Sequence, residues 1–272
     1  MTGRKVDMKV YISSLIKGFS QMEEIAHWIN RKNDENLGVE LIAFTHDKSY
    51  WDRLIGLLPK LTCPLTFHGP YIEVEATSEK GTLEYDHLLD SYKRVCCLAA
   101  RYHVQHIVFH YTQKGVEKEE KLRMQQIVLE NIRTILDIGK NEGVEILVEN
   151  LRYPPSGQLL FTNEEYQHLY QQFSDLNGII DMGHAFLTGL DVKQMLETNS
   201  RRIHAYHFHN NDGTKDSHNR VRDGKIDYIT FSELFKKYTP EARIVLEYEP
   251  HAWKSEESLE RDIDFVRTWY SI

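Results

Sequence analysis

Short runs of β-branched and aromatic residues alternate with longer amphipathic stretches along the whole chain. The runs are MKVYIS (8–13), GVELIAF (38–44), PLTFHG (64–69), QHIVFHY (105–111), VEILVEN (144–150), GIIDMG (178–183), RIHAYHFH (202–209) and RIVLEYE (243–249). Each has the length and composition of a strand. Between them apolar positions recur at helical spacing over 20–31, 50–58, 83–102, 118–141, 163–172, 192–198 and 228–237, and 255–269 closes the chain. Thr162-Asn163-Glu164-Glu165 and Ser255-Glu256-Glu257-Ser258 each set a capping side chain before an acidic first turn, as helix starts require. No linker or low-complexity tract breaks the rhythm. Eight strand–helix units with right-handed crossovers therefore predict one parallel (β/α)8 TIM barrel, class α/β, as a single domain over 1–272. A doubly wound open sheet is the alternative, but ISSLIKGFS after the first run lacks its glycine-rich phosphate turn.

Composition narrows the class without changing it. The chain has 272 residues, 41% hydrophobic and 27% charged, which excludes a disordered or fibrous protein. With 33 Lys+Arg against 41 Asp+Glu, its formal charge is −8. No stretch reaches the roughly 20 apolar residues of a membrane-spanning helix, and MTGRKVDMKVYISS lacks the apolar core of a secretory signal. The expectation is a cytoplasmic protein with no membrane partner; no feature of the pattern specifies an oligomeric state. Cys63, Cys96 and Cys97 are odd in number, two of them adjacent, and read as buried thiols rather than a disulfide framework.

Candidate chemistry gathers at the ends of the strands, where the catalytic groups of a barrel sit. His68, His110, Glu149, Asp181, His209 and Glu247 come one each from runs three to eight. Alternation along a strand tests whether they point inward. His110 shares a face with Val108, and Glu149 with Leu147. In RIHAYHFH, Ile203, Ala205, His207 and His209 share a face, which puts His209 at the rim and His207 one layer deeper. Imidazoles and carboxylates gathered away from water need a counter-charge, and a divalent cation supplies it. A mixed His/Asp/Glu set suits Zn, Mn or Co, with zinc or manganese favoured. Asp181-Met-Gly-His184 and Asp216-Ser-His218 extend the cluster. His207 reads as a packed histidine, and Trp28, Trp51, Trp253 and Trp269 as outer-layer residues, with Trp253 also a candidate for the pocket wall.

Taken together these residues resemble the xylose isomerase-like TIM barrel superfamily, in which sugar phosphate isomerases and ketose epimerases stand beside endonuclease IV of AP endonuclease family 2. The resemblance runs through FHGPY (67–71), VFH (108–110), LVEN (147–150), IIDMGHAF (179–186), HNNDG (209–213), DSH (216–218), DGKID (223–227) and VLEYE (245–249). In the endonuclease IV branch nine side chains hold three zinc ions. Their matches here are His68, His110 and Glu149 for one ion, Asp181, His209 and Glu247 with bridging Glu149 for the second, and His184, Asp216 and His218 for the third. In the ketose epimerase branch one ion is held by the equivalents of Glu149, Asp181, His209 and Glu247, and the two glutamates also move the proton.

The loops separate the two chemistries. Glu149 is followed by NLRYPPSGQ, where the endonucleases carry an NTAGQG-like run, and His209 and Asp216 are closely spaced. The segment 69–81 sets Glu73, Glu75 and Glu79 against Lys80 alone, with no basic stripe for a nucleic-acid backbone. The leading expectation is a metal-dependent isomerase or epimerase on a sugar or sugar phosphate. Glu149 and Glu247 are its catalytic pair; His184, Tyr71 and Arg222 touch the substrate, with Arg152, Lys215, Arg220 and Lys225 as further basic loop residues. The alternatives are an endonuclease IV-like trinuclear zinc phosphodiesterase, or a lyase, dehydratase, hydrolase or binding protein for a modified sugar.

Overall fold

The computed structural model describes residues 8–270, so positions 1–7 of the N-terminal segment read above lie outside the described residues. The strands are β1 Val10–Ser13, β2 Leu37–Ile42, β3 Leu65–His68, β4 Ile107–Phe109, β5 Ile146–Glu149, β6 Asn177–Asp181, β7 Ile203–Phe208 and β8 Arg243–Leu246. All pair in parallel in chain order, and β1 pairs with β8 to close the barrel. Around them lie α1 Met22–Lys32, α2 Lys48–Leu57, α3 Leu83–Arg101, α4 Lys121–Glu142, α5 Asn163–Gln172, α6 Met182–Thr188, α7 Val192–Asn199, α8 Tyr228–Tyr238 and α9 Glu256–Arg267. This is a (β/α)8 TIM barrel. No helix among the described residues is long and apolar enough to cross a membrane.

Strand alternation divides the core in two. Ile107, Phe109, Ile146, Val148, Ile180, Tyr206 and Phe208 join the large apolar layer that includes the helices, whereas Val108, Leu147, Ile179 and Ala205 form a separate cluster inside the barrel. The register rows Val108 with Leu147, and Asp181 with His207, carry this inward parity from strand to strand. Directly above the interior cluster, the inward positions become polar. Only there does a barrel have room for chemistry.

Several strands end earlier than their apolar runs. His110, His209 and Glu247 fall one residue beyond β4, β7 and β8, where the chain leaves the ladder but still points over the barrel. The run 178–183 is not one strand: Asp181 ends β6 and its carboxylate accepts from the His184 backbone N–H at 2.6 Å, starting α6. A carboxylate at a helix N-cap satisfies an otherwise unpaired N–H, so Asp-x-x-His reads as a helix start. Capping boxes open α5 at Thr162 and α9 at Ser255, as expected. The three thiols are free, but only Cys96 is buried; Cys97, one step further round α3, is exposed and Cys63 is half-buried. Trp28, Trp51 and Trp269 are buried in the outer layer, whereas Trp253 is half-buried beneath the Lys17 ammonium, 3.6 Å from its ring.

The long connection from β7 to α8 is tied down at both ends. Asn210 pairs its backbone with Asn219 and its side chain with Val221 and Ile226. Arg220 donates from Nε to Asp262 of α9 at 2.7 Å and from Nη2 to the Ser258 carbonyl at 2.5 Å, and Tyr248 donates to Asp262 at 3.3 Å. Asp262 is fully buried, so its charge depends on these partners. Removing one member of a buried ion pair leaves the other uncompensated. Asp262→Ala is expected to lower unfolding stability by about 3–5 kcal/mol in urea titrations; an unchanged midpoint would show that the loop is held by other means.

Candidate metal centre

Three donor groups meet at the C-terminal mouth of the barrel. They are His68, His110 and Glu149; Asp181, His209 and Glu247; and His184, His209, Asp216 and His218, with the ligand atoms of each group within 4.8 Å of one another, and two deeper groups built on His207, one with Glu40 and Glu247 and one with Glu149 and Asp181, meet the same spacing. All nine side chains expected from the sequence are thus brought together.

Backbone carbonyls and amides aim these side chains. Nδ1 of His68 hydrogen-bonds with the Gly69 carbonyl at 3.0 Å, Nδ1 of His184 with the Asn150 carbonyl at 3.0 Å, and Nδ1 of His218 with the Glu247 carbonyl at 3.1 Å. Each such bond places a proton on Nδ1 and turns Nε2 toward the cluster, the arrangement that orients metal-binding imidazoles. The Asn150 side chain bonds the Asp181 N–H at 2.8 Å and carbonyl at 3.0 Å, locking the ends of β5 and β6 together. His218 adopts φ 40°, a left-handed conformation that lays its ring on His209 at 3.8 Å between centroids. Gly183 makes room for that pair, because a Cβ there would lie 1.9 Å from His209 Cε1.

Glu149 is the hub. Its Oε2 contacts His110 Nε2, while Oε1 lies 2.9 Å from His207 Nδ1 and 3.7 Å from His184 Nδ1. In the third group Asp216 Oδ2 lies 3.2 Å from His184 Nε2, 3.1 Å from His218 Nε2 and 3.0 Å from Arg152 Nε. Asp216 Oδ1 is buried without a hydrogen-bond partner.

Burial and charge pull these groups apart. Burial, reinforced by the neighbouring His110, pushes His68 down to about 3, so it is a neutral imidazole. Burial also lowers His209 against the pull of Asp181. Burial acts downward on His184 and His218 as well, but Asp181 and Asp216 outweigh it at His184, which rises to about 10, and Asp216 and Glu247 outweigh it at His218, which rises to about 9. Burial raises Glu247 to about 7 despite His207 and His218, whereas at Glu149 the upward effect of burial is overcome by His110 and His207 and the carboxyl sits well below its usual range.

The donor set fits a divalent ion on its chemistry: imidazole nitrogens oriented from behind, carboxylate oxygens beside them, and a buried acceptor with no other partner. His68, His110 and Glu149, then Asp181, His209 and Glu247, then His184, Asp216 and His218 are the residues that could each hold one.

Above the donors lies a cavity of about 270 Å³ whose walls include Leu15, Phe19, Tyr71, Lys114, Arg152 and Leu160. His68, His110, His184, Asp216, His218 and Glu247 reach its surface, whereas Glu149 lies behind the lining. Tyr71 stands over the first group, 4.9 Å from the His68 ring and 5.6 Å from His110. Arg222 is placed elsewhere: it lies 3.6 Å from Asp262 and over Phe265, because the loop clamp turns it toward α9. Trp253 is likewise not part of the wall. Sequence reasoning missed Lys114 and Gln113, whose amide sits 2.5 Å from His110 Nδ1, and nothing in their local pattern marks them. It also missed Glu40, a lone acid at inward parity in an apolar run, which was a readable signal. A larger hollow of about 690 Å³ opens at the other end of the barrel, but Glu145 there is already matched by Arg243 at 2.5 Å and His204 at 2.6 Å.

The fold, the strand-end position of the donors and their order along the chain define a class. The profile of the family described as Xylose isomerase-like TIM barrel matches residues 21–269, and the chain belongs to that family. Among sequence relatives, the uncharacterized protein MJ1614 of Methanocaldococcus jannaschii is 25% identical over 174 residues, covering 63% of this chain and 66% of that protein. Among solved structures, a D-tagatose 3-epimerase-like protein aligns with TM-score 0.76 and 20% identity over 95% of this chain and 98% of its own. The zinc-bound IOLI protein aligns with TM-score 0.74 and 16% identity over 97% and 99%. The TTHB071 protein of Thermus thermophilus, soaked with ZnCl2, aligns with TM-score 0.68 and 18% identity over 97% of each chain. At these identities the likeness is one of fold.

Two outcomes follow for the centre. Gly183→Ala is expected to displace the His209 ring and weaken zinc binding about 10–100-fold in chelator competition while helical circular dichroism is kept; undiminished affinity would remove His209 from the donor set. Because His184 and His218 carry protons near neutral pH in the ion-free protein, zinc must displace them. Zinc uptake is therefore expected to release protons at pH 7 and to tighten as pH rises toward about 9, measured by calorimetry in buffers of different ionisation enthalpy; uptake without proton release would place the ion elsewhere.

Proposed function

We propose that the protein is a divalent-metal-dependent enzyme acting on a small sugar or sugar phosphate by proton transfer, with 1–272 working as one domain. The observation that carries this reading is the placement of Glu247, a buried carboxyl that reaches the floor of a small, partly aromatic cavity beside the convergent donors. A carboxyl within reach of a bound substrate can both take and return a proton. Glu149, held ionised by His110 and His207, is the partner base, and two carboxyls driven apart in acidity suit opposite roles. A bound zinc or manganese ion supplies positive charge that polarises the carbonyl and hydroxyl oxygens of such a substrate. Tyr71 and His184 line the cavity and contact the sugar; Lys114 and Arg152 offer positive charge to an attached phosphate. A small-molecule partner fits this enclosed volume better than a nucleic-acid duplex does.

A second reading, hydrolysis of a phosphate ester by a trinuclear zinc centre, is favoured by two specific observations. The third group is fully assembled around Asp216, and Glu149 lies behind the cavity lining, where a bridging ligand belongs.

The readings separate in parallel assays. Incubated with ketoses and their phosphates in deuterated water, the wild type is expected to wash deuterium into a carbon-bound position, and Glu247→Gln to lose that exchange with its fold intact. Wild-type exchange in Glu247→Gln would exclude the role given to Glu247. Nicking of an abasic-site duplex without any proton exchange would establish the hydrolytic reading instead. Metal content measured by elemental analysis follows the same division, one manganese per chain pointing to proton transfer and about three zinc ions to hydrolysis.

A further inference from the structure

Beneath the nine strand-end donors lie two further buried residues, Glu40 and His207, whose ligand atoms also come within 4.8 Å of Glu247, and His207's within 4.8 Å of Glu149 and Asp181. Glu40 of β2 and His207 of β7 are both fully buried, in a layer where a barrel is ordinarily filled by branched apolar side chains. His207 Nε2 lies 3.2 Å from Glu40 Oε1 and 3.3 Å from Oε2, and His207 Nδ1 lies 2.9 Å from Glu149 Oε1. Both ring nitrogens thus face carboxyl oxygens at hydrogen-bond distance. The imidazole is a rigid spacer between one carboxylate at the bottom and another at the top.

We infer that Glu40 and His207 form a positioning pair that fixes the rotation of Glu149 and so holds its second oxygen on the His68–His110 side of the centre. This inference rests on the reading of the donor groups as ion-holding. Its physical basis is the division of labour at Glu149: Oε1 is taken by His207 and Oε2 meets His110. Without Glu40 the ring loses the acceptor that sets its tilt, and Glu149 loses the donor that sets its own. The other carboxylates near His207 Nδ1 are farther away, Glu247 at 3.5 Å and Asp181 at 3.9 Å, so the orienting bond is the one to Glu149. A group that orients a metal-ligating side chain from behind commonly changes affinity about 10–100-fold when removed.

The test titrates the full-length, metal-stripped chain with zinc against a chromophoric chelator and counts bound ions by elemental analysis. Glu40→Ala is expected to bind as many ions as the wild type with affinity about 10–100-fold weaker. Glu40→Gln, which keeps an acceptor for Nε2, should recover most of the loss. Val108→Ala, an apolar change in the same interior, should lower the melting temperature and leave zinc affinity unchanged. Wild-type affinity in Glu40→Ala overturns the inference, as does an equal loss in Val108→Ala, which would trace the effect to barrel stability. His207→Gln that binds one ion fewer, with the rest at full affinity, makes His207 a ligand and also overturns it. If Glu40→Ala does not fold, Glu40→Asp, shorter by one methylene, carries the same expectation and the same refutation. A wild-type chain that takes up no zinc overturns the ion-holding reading itself, and this inference with it.

Discussion

The constraint on which the structure turns is the neutralisation of charge at one mouth of the barrel. Glu40, Glu149, Asp181, Asp216 and Glu247 share that region with His68, His110, His184, His207, His209 and His218, and most are screened from water. Isolated, each buried carboxylate would carry a penalty of several kcal/mol. Here nearly every one is met by an imidazole, so the site survives as an alternating lattice of acids and bases. Such a lattice is intrinsically ready for a cation, because an ion replaces protons that the imidazoles already hold in place.

The same constraint explains the loops. A lattice of this kind works only if its members cannot turn away, and main-chain carbonyls at Gly69, Asn150 and Glu247 hold three of the rings from behind. The connection that carries Asp216 and His218 sends Val221 into the apolar core, with Ile226 packed against it. It is pinned further by Asn210 within the loop and by the Arg220–Asp262 pair to α9. Stability and chemistry are therefore coupled through residues that touch no substrate.

Within one fold family, a single set of strand-end donors serves different reactions, and the choice among them lies in what surrounds the donors. In this chain the surroundings are a small cavity, a tyrosine over the first donor group, two basic side chains in its wall, and a hub carboxylate withdrawn behind the lining. These features suit the small, oxygen-rich substrate proposed for the site.

Much of this is legible in the amino-acid sequence alone, because it depends on local period. Alternation along single runs is enough to turn His110, Glu149 and His209 inward with Val108, Leu147 and Ala205, and composition at the turns separates eight strands from the helices between them. The strand-end donors follow from that parity. What depended on closure was not legible. The distance between Glu40 and His207 is set by how β2 and β7, remote in sequence, face each other across the barrel axis, and a linear pattern carries no register across that gap. The direction of Arg222 is likewise decided by α9, which the loop meets only after the chain has come full circle. Nor does the run 178–183 announce that Asp181, the last residue of its strand, also caps a helix, since strand and helix compete there until the Asn150 side chain locks the strand ends together. Period reports which way a side chain points; only the closed barrel decides what it meets.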